Sequence, residues 1–187
     1  MNRPILESYW IDPDRFLAGE YPGGFDDSEI TRRRMTAFLE AGINTFFDLT
    51  QSHELVSYES ILKKQAAIHG IEPAYYRFAV RDHHIPSHET MSVILDAIDD
   101  ALNAGRNIYL HCWGGIGRTG TAVGCYLVRH GMTNEEALTQ VGEWFRTMPK
   151  HIFFPTSPET DEQIQFVRNW RENRVAAHKI TQNCPEG

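Results

Sequence analysis

The stretch from Ile108 to Gly120, Ile-Tyr-Leu-His-Cys-Trp-Gly-Gly-Ile-Gly-Arg-Thr-Gly, leaves the backbone few options. Ile108-Tyr-Leu is an apolar run of strand type, and the residues from Gly117 onward read as helix. Between them Gly114, Gly115 and Gly117 admit backbone conformations closed to other residues, so successive N–H groups can turn inward toward one anion. The helix N-terminus adds its own donors and a partial positive charge. A strand, a glycine-rich loop and a helix in this order make an anion cradle.

The rest of the chain alternates in the same way, with no internal repeat, low-complexity tract or long linker. A strand over 15–18 is closed by Gly19 and by the turn Tyr21-Pro22-Gly23-Gly24. Asp26 is placed to cap a helix, with Glu29 in the capping-box position and Ile30, Ala37, Phe38 and Ala41 along one side. Gly42 ends that helix, and 43–49 forms the next strand. A helix over 58–69, a strand over 75–80, a helix over 89–104 carrying Val93, Ile94, Ala97, Ile98 and Ala101, and a strand over 107–111 follow. Three helices complete the pattern: 117–130, one capped by Thr133 with Glu136, and one opened by Ser157 and Pro158. The expected fold is α/β, a mostly parallel central sheet with helices on both faces. The length suits one domain over 1–187 with a core over about 15–170 and a loose tail after about 173. In such sheets ligands sit at the carboxyl ends of the strands, which is where the loop after 107–111 must lie.

At the focus of the cradle stands Cys112. Inward N–H groups and Arg118 both favour thiolate over thiol, which makes the sulfur a nucleophile. The planar guanidinium of Arg118 can take two phosphate oxygens at once and meet the charge of a phosphoryl-transfer transition state. The hydroxyl of Thr119 can donate to the sulfur when that sulfur must leave, and His111 is placed to order the loop from behind. Trp113, Gly114, Gly115, Ile116, Gly117 and Arg118 form the phosphate-binding loop. Trp113 either faces the rim, where an indole would lie against substrate, or packs inward.

His-Cys-x5-Arg-Thr resembles the signature loop of the protein tyrosine phosphatase superfamily, and the chain is similar to its small dual-specificity branch over 15–170. The resemblance implies metal-independent hydrolysis of phosphate monoesters in two steps. A phosphocysteine forms on Cys112 and water then hydrolyses it, with no cofactor. An aspartic acid should protonate the departing oxygen and later accept a proton from water. Asp82, in Arg81-Asp-His-His-Ile-Pro-Ser87, precedes the cysteine by a separation similar to that of dual-specificity phosphatases and is the candidate. Trp-Pro does not precede it, unlike in the larger tyrosine-specific enzymes. A shallower pocket open to phosphoserine and phosphothreonine as well as phosphotyrosine is implied.

Asp48, at the end of a strand, is at most a supporting residue, while Asp96, Asp99 and Asp100 fall within a helix. His83, His84 and His88 lack a further acidic or cysteine ligand at suitable spacing and are expected to shape phosphate recognition at the rim rather than to hold a metal. An inositol phosphate or phosphoinositide substrate would call for extra cations. The loop has no Lys between Cys112 and Arg118, although Arg77 and Arg81 lie upstream. A sulfurtransferase or arsenate reductase fits Thr119 and Asp82 less well, and a phosphoprotein-binding module without turnover would be expected to lack the nucleophile, the arginine or the acid.

A formal charge of −7 argues against nucleic acid as the main partner. The expected partner is a phosphorylated protein or peptide, or a small phosphate ester. No run reaches the roughly 20 apolar residues of a membrane span, and the start Met-Asn-Arg-Pro-Ile-Leu-Glu has no signal-type apolar core, so a cytoplasmic setting is expected. Cys112, Cys125 and Cys184 are too scattered for a disulfide framework and suit free thiols. Cys125 reads as a buried apolar residue, or as a second thiol able to trap oxidised Cys112.

Overall fold

A computed structural model describes residues 3–24 and 28–172. Asp26, the tail after about 173 and Cys184 lie outside the described residues. The strands are β1 (Ser8–Asp12), β2 (Phe16–Gly19), β3 (Thr45–Asp48), β4 (Ala74–Arg77) and β5 (Ile108–His111). The helices are α1 (Ser28–Glu40), α2 (Glu59–Ile68), α3 (His88–Asn103), α4 (Gly117–Arg129), α5 (Asn134–Phe145) and α6 (Asp161–Arg168).

The sheet runs in the order β1-β2-β5-β3-β4. β2, β5, β3 and β4 are parallel, and β1 pairs antiparallel with β2 at one edge. The sequence pattern does not reveal β1: Ser8-Tyr-Trp-Ile-Asp is a short edge segment between prolines, and its pairing comes from folding back on β2.

Alternation across the pleat sends successive side chains to opposite faces. Phe46, Tyr109 and Leu17 pack with Phe38, Leu39 and Leu62 of α1 and α2. Phe47, Leu110 and Ile108 pack on the other face with Ile98, Val123 and Phe145 of α3, α4 and α5. Both faces are thus covered, as the near-continuous apolar strands require.

The buried stripe of α3 is Met91, Ile94, Leu95, Ile98 and Leu102; Val93, expected on it, is 54% exposed because it lies about 100° around the helix from Ile94. Ile30 of α1 is likewise 38% exposed. Thr133 and Glu136 form the expected capping box of α5.

The last helix begins later than expected. Its cap is Thr160, closed by Gln163, whereas Ser157 and Pro158 lie before it. Ser157 is drawn instead to the anion loop, where its hydroxyl donates to the Ile116 carbonyl at 2.7 Å. Among the described residues no helix is long and apolar enough to cross a membrane.

Parallel strands carry their carboxyl ends to one edge, so the segments after β5, β3 and β4 meet there. Ile98 is fully buried beneath this sheet. Replacing it, Ile98→Ala, is expected to lower stability by about 2–5 kcal/mol in urea unfolding, with little change in the slope of the transition.

Candidate active site

Cys112 follows β5 directly and is buried. Four of the carbonyls around it are held by partners outside the loop's centre. Cys112 O accepts from His111 Nδ1 at 2.9 Å, Trp113 O from Tyr21 N at 2.8 Å, Gly114 O from Lys150 Nζ at 2.8 Å and Ile116 O from Ser157 Oγ. Carbonyls held in this way leave the N–H groups of the loop able to turn to an anion beside the start of α4. Gly115 makes this possible, with φ +71° and no side chain; a Cβ there would run into the backbone of Gly19.

The Arg118 guanidinium is buried, and two segments converge on it. Nη1 donates to Glu54 Oε1 at 2.8 Å and to Val80 O at 2.9 Å, and Nη2 donates to Glu54 Oε2 at 2.8 Å. Asp82 Oδ1 lies 2.8 Å from the same Nη2. Burial disfavours the charge, but the bonds from Glu54 and the fields of Cys112 and Asp82 outweigh it and raise the Arg118 pKa. Arg118 Nε and Thr119 Oγ1 are buried and have no hydrogen-bond partner. The Thr119 hydroxyl therefore keeps an unused donor.

His111 is fully buried under the loop. Because its Nδ1 faces the Cys112 carbonyl, Nδ1 carries the proton, and Nε2 accepts from Tyr58 OH at 2.6 Å. Burial lowers its pKa, against the pull of Asp48, and holds it neutral. It supports the loop from behind.

Asp48 is buried away from the pocket. Its Oδ1 accepts from Thr50 N and Oγ1, its Oδ2 from Tyr75 OH at 2.6 Å and from Arg77 Nε and Nη2 at 3.1 and 2.9 Å. Burial would raise this carboxyl, but the field of His111 and the bonds from Tyr75 and Thr50 prevail and hold it below its ordinary value. Asp48 therefore anchors the sheet edge and does not reach the site's rim. Arg77 is committed to it and supplies no extra cation to the pocket.

A cavity of about 210 Å³ opens above the loop, lined by Asp82, Cys112, Trp113, Arg118, Phe154 and Glu159 among others. Trp113 is 44% exposed there, which answers the question of its orientation in favour of the rim. The three histidines separate. His83, at φ +57°, lines the cavity with Nε2 3.5 Å from Asp82 Oδ2 and Nδ1 3.5 Å from Glu159 Oε2. His84 turns back to the Asp82 carbonyl at 2.7 Å, and His88 stacks on Trp170 with ring centroids 4.1 Å apart, so neither serves the rim as expected. Asp96 and Asp99 face Arg129 rather than the pocket. Cys125 is buried in α4, where burial pushes its thiol well above the ordinary range and out of thiolate chemistry.

Glu54, Gln163 and Lys150 are the contributors that sequence reasoning missed. Gln163, itself buried, accepts from the Glu159 and Thr160 amides and donates to the His84 carbonyl at 3.3 Å, tying the segment that bears Asp82 to the start of α6. The bonds from Arg118 to Glu54, from Lys150 to Gly114 and from Gln163 to His84 join residues far apart in the chain, and no local spacing announces them.

Residues 23–132 match the family described as polymorphic toxin system, DSP-PTPase phosphatase, and the chain belongs to that family. It is 25% identical over 194 residues to the protein tyrosine phosphatase domain-containing protein 1 of Mus musculus, an alignment covering 94% of this chain and 25% of that protein. It is 28% identical over 143 residues to the dual specificity protein phosphatase CDC14B of Mus musculus, covering 73% of this chain and 26% of that one. The chain thus spans about a quarter of the length of these relatives. In fold it is similar to Tk-PTP in its active form, with a TM-score of 0.65, 23% identity, and 87% and 94% of the two chains covered.

Two outcomes follow from the buried titratable groups. Glu54→Ala leaves Arg118 without its two-oxygen partner and is expected to cost about 3 kcal/mol in urea unfolding and to weaken competition by inorganic phosphate in an activity assay. His111 has a folded pKa below its ordinary 6.5, so its contribution to stability is complete above that value and is lost as pH falls through the lowered folded value. Denaturant unfolding at about pH 7.5 and about pH 5.5 should show this loss, and His111→Gln should show less of it.

Proposed function

We propose that the chain hydrolyses phosphate monoesters of proteins through a phosphocysteine on Cys112. The observation that carries this reading is the convergence on one cavity of a cysteine, its glycine-rich loop, a buried arginine with an unpartnered Nε, and Asp82. Family membership supports it.

In the first step the Cys112 thiolate attacks phosphorus and the ester P–O bond breaks. Loop N–H groups and the unpartnered Nε of Arg118 hold the equatorial oxygens, and protonated Asp82 hands its proton to the departing oxygen. In the second step water attacks phosphorus, its proton passes to the Asp82 carboxylate, and the P–S bond breaks. The Thr119 hydroxyl, with its unused donor, then stabilises the sulfur that leaves. Glu54 holds the guanidinium in the plane that this requires. Nothing in these steps calls on a metal, and a reducing, cytoplasmic setting suits a mechanism that needs a free thiol. An inositol phosphate substrate is less well served, since Arg77 is taken by Asp48.

Hydrolysis of para-nitrophenyl phosphate in reducing buffer with EDTA tests the reading. The intact chain should turn over and Cys112→Ser should not, while still binding phosphate esters. Asp82→Asn should slow turnover by about 10²-fold or more for poor alkyl leaving groups and less for para-nitrophenol, which leaves readily without a proton. No activity in the intact chain, or full activity in Cys112→Ser, would refute it.

A further inference from the structure

After α5 the chain passes through a 3₁₀ turn, Pro149–Ile152, and leaves three large apolar residues in water. Ile152 is 75% exposed, Phe153 80% and Phe154 44%. A run of this kind on a protein surface marks a place where something binds.

The segment is firmly held beside the anion loop. Lys150 Nζ donates to Gly114 O and to Glu20 Oε2, both at 2.8 Å, and Lys150 N reaches the Glu7 carboxylate at 3.2 and 3.3 Å. The amides of Phe153 and Phe154 close on Lys150 O at 2.9 and 3.1 Å. Phe154 then forms one wall of the cavity that holds Cys112 and Trp113, and the apolar knuckle continues outward from the site's mouth.

Charge selects among occupants. Asp82 and Glu159 line the mouth, while Arg118 and Lys150 are largely buried and already paired. Acidic flanks and anionic headgroups meet the Asp82 and Glu159 carboxylates there. We infer that Ile152, Phe153 and Phe154 form a docking surface for an apolar side chain next to the phosphorylated residue of a protein substrate. This rests on the phosphatase reading: once phosphorus is seated at Cys112, the neighbouring substrate residue passes over Phe154 onto Ile152 and Phe153.

The test uses two phosphotyrosyl peptides that differ only in the residues beside the phosphotyrosine, leucine in one and glutamate in the other, with para-nitrophenyl phosphate as the small substrate. The intact chain should favour the leucine peptide in kcat/KM. Ile152→Ser with Phe153→Ser should cut its kcat/KM about tenfold, as loss of one or two apolar contacts predicts, and leave para-nitrophenyl phosphate within about twofold. Equal turnover of the two peptides, turnover of neither, or a parallel loss on para-nitrophenyl phosphate in the double variant overturns the inference alone. So does release of the double variant from anionic phospholipid vesicles that hold the intact chain with unchanged peptide kinetics, which would make the knuckle a membrane surface. Failure of the intact chain on para-nitrophenyl phosphate overturns the phosphatase reading, and the docking surface with it.

Discussion

A guanidinium placed under the mouth of a pocket is unstable there unless carboxylates and carbonyls surround it, and the arrangement around Arg118 follows from that requirement. Glu54 comes from the segment after β3, Val80 and Asp82 from the segment after β4, and Arg118 itself from the first turn of α4 after β5. β5, β3 and β4 are neighbours in the sheet, so the cation ties together the carboxyl ends of three adjacent strands. The same bonds aim the guanidinium. With Nη1 and Nη2 taken by Glu54, the Nε side is left for an anion in the loop.

Beneath the loop lies a second rigid layer. His111, Tyr58, Tyr109 and Phe46 stack and edge against one another, and the neutral tautomer of His111 links the Tyr58 hydroxyl to the Cys112 carbonyl. Above, Gln163 and Glu159 reach from the start of α6 to the segment that bears Asp82. The nucleophile is thus held by the sheet, and the acid by a helix whose Gln163 lies 79 residues beyond His84. Precise placement of groups on separate elements is what two-step phosphoryl transfer demands.

Much of this was legible before folding was considered. The order of strands and helices, the loop after β5, and the caps of α5 are local patterns, and each has a local cause: apolar periodicity, glycine, a side-chain oxygen in reach of an amide. Elements held by distant partners were not. β1 has no identity apart from β2, and Ser157, which reads as the opening of a helix, is claimed by the Ile116 carbonyl across 41 residues. Arg77 looks like a cation available for substrate until Tyr75, Asp48 and Arg77 are seen as one cluster at the sheet edge.

The sequence by itself determined the strand, anion loop and helix around Cys112 and Arg118, because glycine conformations and the helix N-terminus act within a few residues. It also placed Asp82 in a segment between a strand and a helix. Tertiary structure alone decided that Glu54 clamps Arg118, that Trp113 and Phe154 wall the pocket, that His83 stays at the rim while His84 and His88 leave it, and that Lys150 fastens an apolar knuckle to the loop. Those outcomes depend on which strand ends are neighbours. A parallel sheet settles that only when strands separated by whole helices come to lie side by side.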